Sequence, residues 1–227
     1  MSLRNKVIAE FIGTAALLAT VVGSGIMAVN LSQGNNGIAL LANAAATAGI
    51  LYVLISALAP ISGAHFNPAV SLVMRACDEL DNRELASYLV AQLLGAILGV
   101  LLAHAMFEQA LIQPGIRIRT GTPQYLSEAV ASFGLLMTIL LAAKQKSTQI
   151  PALVASYIFA AYWFTSSTSF ANPAVTIARA LTQSFAGIRP EDVAGFIAAQ
   201  LLGSGLAYLF FRFGFGFTSS SEDSSAR

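Results

Sequence analysis

The chain has 227 residues, of which 56% are hydrophobic and 10% are charged, and its formal net charge is +1. Soluble domains are normally about 25% charged, so this composition predicts a protein that crosses a membrane several times. The near-neutral charge excludes a nucleic-acid partner. Cys77 is the one cysteine, which excludes an intramolecular disulfide, and two histidines are too few for a metal cluster, so we expect no metal and no cofactor.

Six apolar stretches approach or exceed the length of about 20 residues that a bilayer span requires. They lie at about 7–29, 37–59, 85–107, 124–143, 150–170 and 191–213. We expect one transmembrane domain over residues 1–217 and a disordered, Ser-rich tail at 218–227. The first stretch is too long for the apolar core of a signal peptide, and it contains Glu10.

One tripeptide occurs twice, as Asn67-Pro68-Ala69 and as Asn172-Pro173-Ala174. Asn is a strong helix N-cap and Pro suits the first helical position, so each copy predicts a helix start. The helix-compatible residues that follow, 69–77 and 174–183, number about half of a bilayer span. Paired broken helices in the two halves of a membrane protein indicate a transport site near the midplane.

The chain also repeats itself, in units at about 6–107 and 123–213. The segment 91–95 has the same sequence as 199–203, Ala-Gln-Leu-Leu-Gly, and the residues around Glu10 are echoed around Glu128. Each unit holds three spans and one half-helix, so the second unit is inverted and the two half-helices meet tip to tip. Facing helix N-termini place positive dipole ends at the centre, where Asn67 and Asn172 add amide donors. This pairing favours a pore over two isolated helix caps.

The distribution of Lys and Arg predicts the orientation in the membrane. The segments on the side of the N-terminus carry eight of these residues, and the opposite segments carry four: Arg117, Arg119, Arg179 and Arg189. Because the cytoplasmic side carries the excess, we expect both termini in the cytoplasm.

Glu10 and Glu128 are unfavourable in hydrocarbon, so they must face protein or water. Their equivalent positions in the repeat predict that each accepts hydrogen bonds from a re-entrant loop. A proton-coupled transporter that uses both carboxylates is an alternative, and so is a scaffold with no conductance. His65 precedes the first cap and is expected to pack the loop or line a vestibule. No nucleophile–base pair, metal site or phosphate loop is visible, so we do not expect an enzyme.

Three segments carry a family resemblance: Ala9-Glu10-Phe11-Ile12-Gly13-Thr14, the stretch from Ser62 to Val70, and the second Asn-Pro-Ala. Together they resemble the major intrinsic protein family, the aquaporins and aquaglyceroporins, and the similarity covers nearly the whole chain. It implies an all-α fold: a right-handed bundle of six transmembrane helices with two re-entrant half-helices. It also implies one pore per subunit, a homotetramer in the inner (plasma) membrane of a bacterium, and passive flow of small neutral solutes.

One position departs from the family pattern. In most members an Arg directly follows the second Asn-Pro-Ala, and here that residue is Val175. Counting back from the motifs, the resemblance places the other filter positions at Thr47, Ala160 and Ser169, none of them aromatic or charged. The Asp that glycerol facilitators usually carry soon after the motif is replaced by Thr176. We expect a wide filter, like that of Arg-lacking bacterial members associated with arsenic detoxification.

The expected function is therefore a passive channel for water, small polyols, and arsenite or methylated arsenicals. Without the arginine, a fixed charge is missing and the barrier to ions falls, so an ion- or anion-conducting channel is the alternative. Arg179 lies four residues beyond Val175, on the same helix face and about 6 Å further out. It offers a charge in the outer vestibule, although an arginine that extends to the membrane interface explains the position equally well.

Overall fold

The computed structural model describes residues 1–215, over which the chain forms eight α-helices. They are α1 (Leu3–Leu31), α2 (Asn36–Ser62), α3 (Pro68–Ala76), α4 (Asn82–Met106), α5 (Thr122–Lys144), α6 (Ile150–Phe164), α7 (Pro173–Arg179) and α8 (Val193–Gly214). A 3-10 turn, Pro190–Asp192, precedes α8. The predicted disordered tail at 218–227 lies outside the described residues.

Five helices are long and apolar enough to cross a membrane: α1, α2, α4, α5 and α8 with its preceding turn. The sixth, α6, is apolar but has only 15 residues and ends at Phe164, before the predicted end at 170. A run of hydroxyl residues follows it, and Ser and Thr compete with helical backbone bonds. Thr165 Oγ1 donates to the Ala161 carbonyl oxygen at 2.7 Å, and Ser167 Oγ accepts the amide of Ser169 at 3.2 Å, so these hydroxyls bond to the backbone at and beyond the helix end. The all-α architecture confirms the predicted fold class.

The two halves of the chain make matching contacts. Helix α1 packs along α4 as α5 packs along α8, and α1 contacts α2 as α5 contacts α6. The short helices exchange partners, since α3 contacts α8 and α7 contacts α4, and α3 and α7 contact each other. This arrangement is the one expected of two inverted copies of one unit.

Each short helix begins at the proline of an Asn-Pro-Ala copy, with the Asn as its N-cap. Asn67 Oδ1 accepts the amide of Ala69 at 2.9 Å, and Asn172 Oδ1 accepts that of Ala174 at 3.0 Å. Helix α7 ends at Arg179, earlier than the predicted end at 183. Beyond it Thr182 Oγ1 accepts the amide of Ser184, so the hydroxyl stabilises a turn instead of a further helical turn.

Glycines form the closest contacts between the long helices. A Cβ placed on Gly203 of α8 would lie 2.1 Å from the Ala129 carbonyl oxygen of α5. A Cβ on Gly99 of α4 would lie 2.3 Å from the Ala15 oxygen of α1. Small residues let backbones approach in this way inside a bilayer, where no burial from water drives helices together.

We expect Gly203→Ala to lower the thermal midpoint of the detergent-solubilised protein. The added methyl overlaps Ala129, and overpacking of this kind costs about 1–3 kcal/mol. Gly205→Ala is the matched control in the same helix, because nothing lies within 4 Å of a Cβ placed there. Equal midpoints for the two variants would contradict the close contact between α5 and α8.

Candidate functional site

The side-chain amides of Asn67 and Asn172 tie the two re-entrant loops together at the centre of the protein. Asn67 Nδ2 donates to the carbonyl oxygen of Ala171 at 2.7 Å, and Asn172 Nδ2 donates to that of Phe66 at 2.8 Å. A primary amide has two N–H donors, so each of these bonds uses one of them. Both asparagines line the central cavity, where the second N–H of each can meet a passing oxygen.

The backbone before each cap has the same unusual conformation. Ala64 and Phe66 have φ values of 53° and 49°, and Ser169 and Ala171 have values of 50° and 47°. Side-chain-bearing residues rarely adopt this left-handed region, so the surrounding structure must hold both loops in place.

Glu10 holds the first loop. Its carboxylate accepts hydrogen bonds from Ser62 Oγ at 2.7 Å, from the amides of His65 at 2.9 Å and Phe66 at 2.6 Å, and from Gln92 Nε2 at 2.8 Å. The side chain is fully buried and does not line the cavity. Its contacts therefore orient the loop backbone rather than a solute.

Glu128 makes the equivalent contacts in the second half. Its carboxylate accepts the amides of Phe170 and Ala171, both at 2.9 Å, and Gln200 Nε2 at 2.6 Å. It too is fully buried and lies outside the cavity wall. The two carboxylates thus have the same surroundings in the two halves.

Sequence reasoning missed the part that the two glutamines play. Gln92 donates to Ser71 Oγ as well as to Glu10, and Gln200 donates to Thr176 Oγ1 as well as to Glu128. Each glutamine therefore connects a carboxylate to the half-helix that follows its loop. The repeated Ala-Gln-Leu-Leu-Gly segment was the available signal, but it gave no contact partner.

His65 lies in the cavity wall. Its Nδ1 is 3.1 Å from Ser71 Oγ, and its ring packs edge-on against Tyr88 with 5.4 Å between the ring centroids. The imidazole therefore fixes the loop and also borders the space that a solute would cross.

A cavity of about 1040 Å³ passes both asparagine caps. One end, here called the Cys77 end, is lined by Cys77, Lys6 and the exposed Glu79. The opposite end, here called the Arg179 end, is lined by side chains that are all 5% exposed or less: Thr47, Tyr162, Ser169, Val175 and Arg179. The wall is therefore open at the first end and constricted at the second.

The contribution of α6 to this constriction differs from the expected one. Ala160 is exposed and does not line the cavity, whereas Val154, Ile158 and Tyr162 line it at a spacing of four residues. Helix residues two positions apart point about 200° apart, so Ala160 and Tyr162 cannot share a face. A residue count from the second motif gives no helix phase for α6, which ends at Phe164 with the loop 165–171 between it and the cap. An aromatic residue thus occupies the position expected for alanine.

The constriction combines hydroxyl groups with one apolar side. Thr47 Oγ1 and Tyr162 Oη are hydrogen-bonded at 3.2 Å and connect α2 to α6. Ser169 Oγ is buried and has no hydrogen-bond partner among the described residues. Val175, one residue after the second motif, supplies the apolar side. Such a surface matches a solute that carries hydroxyls on a compact frame.

Arg179 lies inside the protein and not at its surface. Its side chain is 2% exposed, its Cζ lies 3.3 Å from the centroid of the Phe170 ring, and its Nε donates to the Ala186 carbonyl oxygen. A guanidinium over an aromatic face is electrostatically attracted to it. The ring thus holds a positive charge in the cavity wall.

Arg119, from the loop between α4 and α5, is a second buried arginine at this end, and sequence reasoning missed it. Its Cζ lies 4.7 Å from the Phe170 centroid, and it donates to the carbonyl oxygens of Gly187 at 2.9 Å and Ser167 at 2.7 Å. Burial, and then the charges of Arg179 and Arg117, lower the pKa of Arg119 to about 9. It therefore remains positively charged at neutral pH.

Comparison with known proteins agrees with this arrangement. The family model described as Major intrinsic protein matches residues 1–168. The chain belongs to the major intrinsic protein family. Members of this family are membrane channels and not enzymes, so the prediction of a channel is confirmed.

Individual members of the major intrinsic protein family match this chain over different shares of its length. It is 52% identical over 202 residues to aquaglyceroporin AqpS of Rhizobium meliloti (strain 1021), covering 89% of this chain and 86% of that protein. It is 42% identical over 93 residues to aquaporin Z of Brucella melitensis biotype 1, covering 41% and 40%. The structure of the aquaglyceroporin from Plasmodium falciparum matches with a TM-score of 0.74 and 20% identity, covering 92% of this chain and 96% of that one, which shows a shared fold.

Proposed function

We propose that this member of the major intrinsic protein family is a passive channel for water and small uncharged solutes with several hydroxyl groups, glycerol among them. The observation that carries the proposal is the central cavity past Asn67 and Asn172, each with one amide N–H left for a solute oxygen. The positive ends of α3 and α7 meet there, and they favour electronegative atoms over cations. The relative from Rhizobium meliloti is named an aquaglyceroporin, which supports the same solute class.

The selectivity filter in this proposal consists of Thr47, Tyr162, Ser169 and Val175. Three of these side chains carry hydroxyls that replace water around a polyol, and Val175 contacts the solute frame. Arsenite in its uncharged form is also a small triol, and methylated arsenicals combine hydroxyl with methyl groups. The same surface suits both, so we extend the proposal to these solutes.

A proton-coupled transporter is less well supported. Such a mechanism needs carboxylates in the solute path, and both Glu10 and Glu128 lie outside the cavity wall with three or more hydrogen bonds each. An anion channel is the second candidate. It is favoured by Arg119 and Arg179, two buried cations at one end of the cavity for which the described residues provide no ion pair.

The assembly and orientation complete the proposal. The family resemblance supports a homotetramer with one pore in each subunit. The excess of Lys and Arg on the side of the Cys77 end supports both termini in the cytoplasm of a bacterium, with the Arg179 end outside.

We expect Val175→Arg to narrow the constriction, because a long charged side chain replaces a small apolar one. Stopped-flow light scattering of proteoliposomes would give the water, glycerol and xylitol fluxes, and direct uptake would give that of arsenite. Glycerol and xylitol flux should fall more than water flux. Val175→Met adds length without charge, so it separates the effect of side-chain size from the effect of the positive charge. Equal losses for every solute, or a native chain that passes no glycerol, would count against the proposed function.

A further inference from the structure

We infer that Arg179 is the charge filter of this channel. Its guanidinium repels cations at the constriction and donates hydrogen bonds to the oxygen atoms of polyols and uncharged oxyacids, in a chain that has no arginine beside the second Asn-Pro-Ala motif. The inference rests on the proposed function, because it concerns the same cavity.

The donors of Arg179 are only partly used by the protein. Nε bonds to the Ala186 carbonyl oxygen, and no described residue accepts a hydrogen bond from either Nη nitrogen. The side chain is 2% exposed and lines the cavity at its constricted end. Four N–H donors on two nitrogens therefore remain for a solute oxygen.

The charge of Arg179 is not neutralised by an ion pair. Over residues 1–215, the salt bridges of the structure involve other arginines and Lys6, and none of them includes Arg179. Buried charges are normally paired, since removing a lone ion from water is unfavourable. Glu128 is the carboxylate in the same region, but it is committed to Phe170, Ala171 and Gln200 and lies outside the cavity wall. A positive potential therefore reaches the cavity.

Phe170 fixes where that charge lies. Its amide is held by Glu128, and its ring packs edge-on against Phe196 with 5.2 Å between centroids. The guanidinium of Arg179 lies over this fixed ring, at 3.3 Å from its centroid, and that of Arg119 lies 4.7 Å from it. The arginine is thus positioned by the Phe170 ring of the re-entrant loop and by the Ala186 carbonyl beyond α7, and not by chance packing of a flexible chain.

Arg179 also lies close to Val175, the residue at the position where most family members carry the filter arginine. Arg179 lies four residues beyond Val175 in α7, so the two share a helix face about 6 Å apart along the axis. Both line the cavity. A solute the size of glycerol is about as long as this separation. It therefore meets the Arg179 guanidinium soon after it passes Val175.

Permeability to K⁺ and to glycerol, measured in the same proteoliposomes, tests the inference. The native chain should pass glycerol and remain tight to K⁺. Arg179→Met should raise K⁺ permeability at least about tenfold, because a unit charge a few ångströms from the ion path is removed from a region of low dielectric. Arg179→Lys keeps the charge and should stay tight to K⁺. Arg189→Met is the matched control, since Arg189 is paired with Glu191 and Asp192 and does not line the cavity.

The native chain and Arg179→Lys keep the inference falsifiable even if Arg179→Met does not fold. A native chain that conducts K⁺ would overturn the inference, and so would a K⁺ leak in a folded Arg179→Lys. A folded Arg179→Met that passes glycerol and remains tight to K⁺ would overturn it as well. A native chain that passes neither solute would overturn the proposed function, while a K⁺ leak confined to Arg179→Met would still support the charge filter.

Discussion

Replacement of Glu128 by alanine is expected to abolish solute flux. Three buried donors lose their acceptor: the amides of Phe170 and Ala171 and the side chain of Gln200. Each unsatisfied buried donor costs about 1–3 kcal/mol, so the loop that carries the second Asn-Pro-Ala loses several kcal/mol of support. The left-handed backbone at Ala171 relies on that support. Glycerol flux per milligram of reconstituted protein and the thermal midpoint measure the effect.

Two variants distinguish the loss of the hydrogen-bond acceptor at Glu128 from the loss of a negative charge. Glu128→Gln keeps one acceptor oxygen in place and should retain part of the flux. Glu108→Ala removes an exposed carboxylate from the loop between α4 and α5 and should leave flux unchanged. Native flux in Glu128→Ala would show that the loop does not depend on this carboxylate.

Tyr162→Ala is expected to widen the constriction and to raise the flux of xylitol relative to glycerol several-fold. The phenol ring lines the cavity and its hydroxyl bonds to Thr47 across the end of the pore, so its removal opens space between α2 and α6. Tyr162→Phe keeps the ring and loses only the hydrogen bond, so it should preserve the size limit. Flux ratios from stopped-flow light scattering of proteoliposomes measure the change.

Ala160→Phe is the control for the helix face. Ala160 is exposed on the side of α6 away from the cavity, so a ring added there should not alter any flux. A block by Ala160→Phe together with unchanged ratios in Tyr162→Ala would place the filter residue at 160 after all.

The fold followed from local features of the sequence. Helix starts at Pro68 and Pro173 depend on the asparagine and proline at each site, and the long helices depend on apolar length. The same features could not give the end of α6. The run of hydroxyl residues after Phe164 ends that helix early. By composition alone, the same run is compatible with a membrane span that continues to residue 170.

The site was predictable only where the repeat supplied information. The positions of Glu10 and Glu128 are equivalent in the two halves, and so are their surroundings. Tyr162 required the helix phase of α6, which a residue count from the second motif does not give. The contact of Arg119 with Phe170 joins residues 51 positions apart in the chain, and no local pattern encodes such a pairing.

Positive and negative groups are separated at the centre of this molecule. The amide and guanidinium donors that reach the cavity belong to Asn67, Asn172 and Arg179, while the buried carboxylates of Glu10 and Glu128 are kept behind the loops. From the two asparagine caps through the Arg179 end, the path offers donors without a carboxylate in its wall, which favours neutral oxygen-bearing solutes and resists cations.

Glycerol flux measured in both directions, with and without an imposed pH gradient, tests the central claim most directly. Proteoliposomes that contain the native chain would be mixed with glycerol, or preloaded with it and diluted, in a stopped-flow instrument. A passive pore predicts that the rate follows the glycerol gradient alone, is equal in the two directions and does not respond to the pH gradient. Glycerol accumulation above equilibrium, or uptake that requires the pH gradient, would contradict a channel and restore a transport role for Glu10 and Glu128.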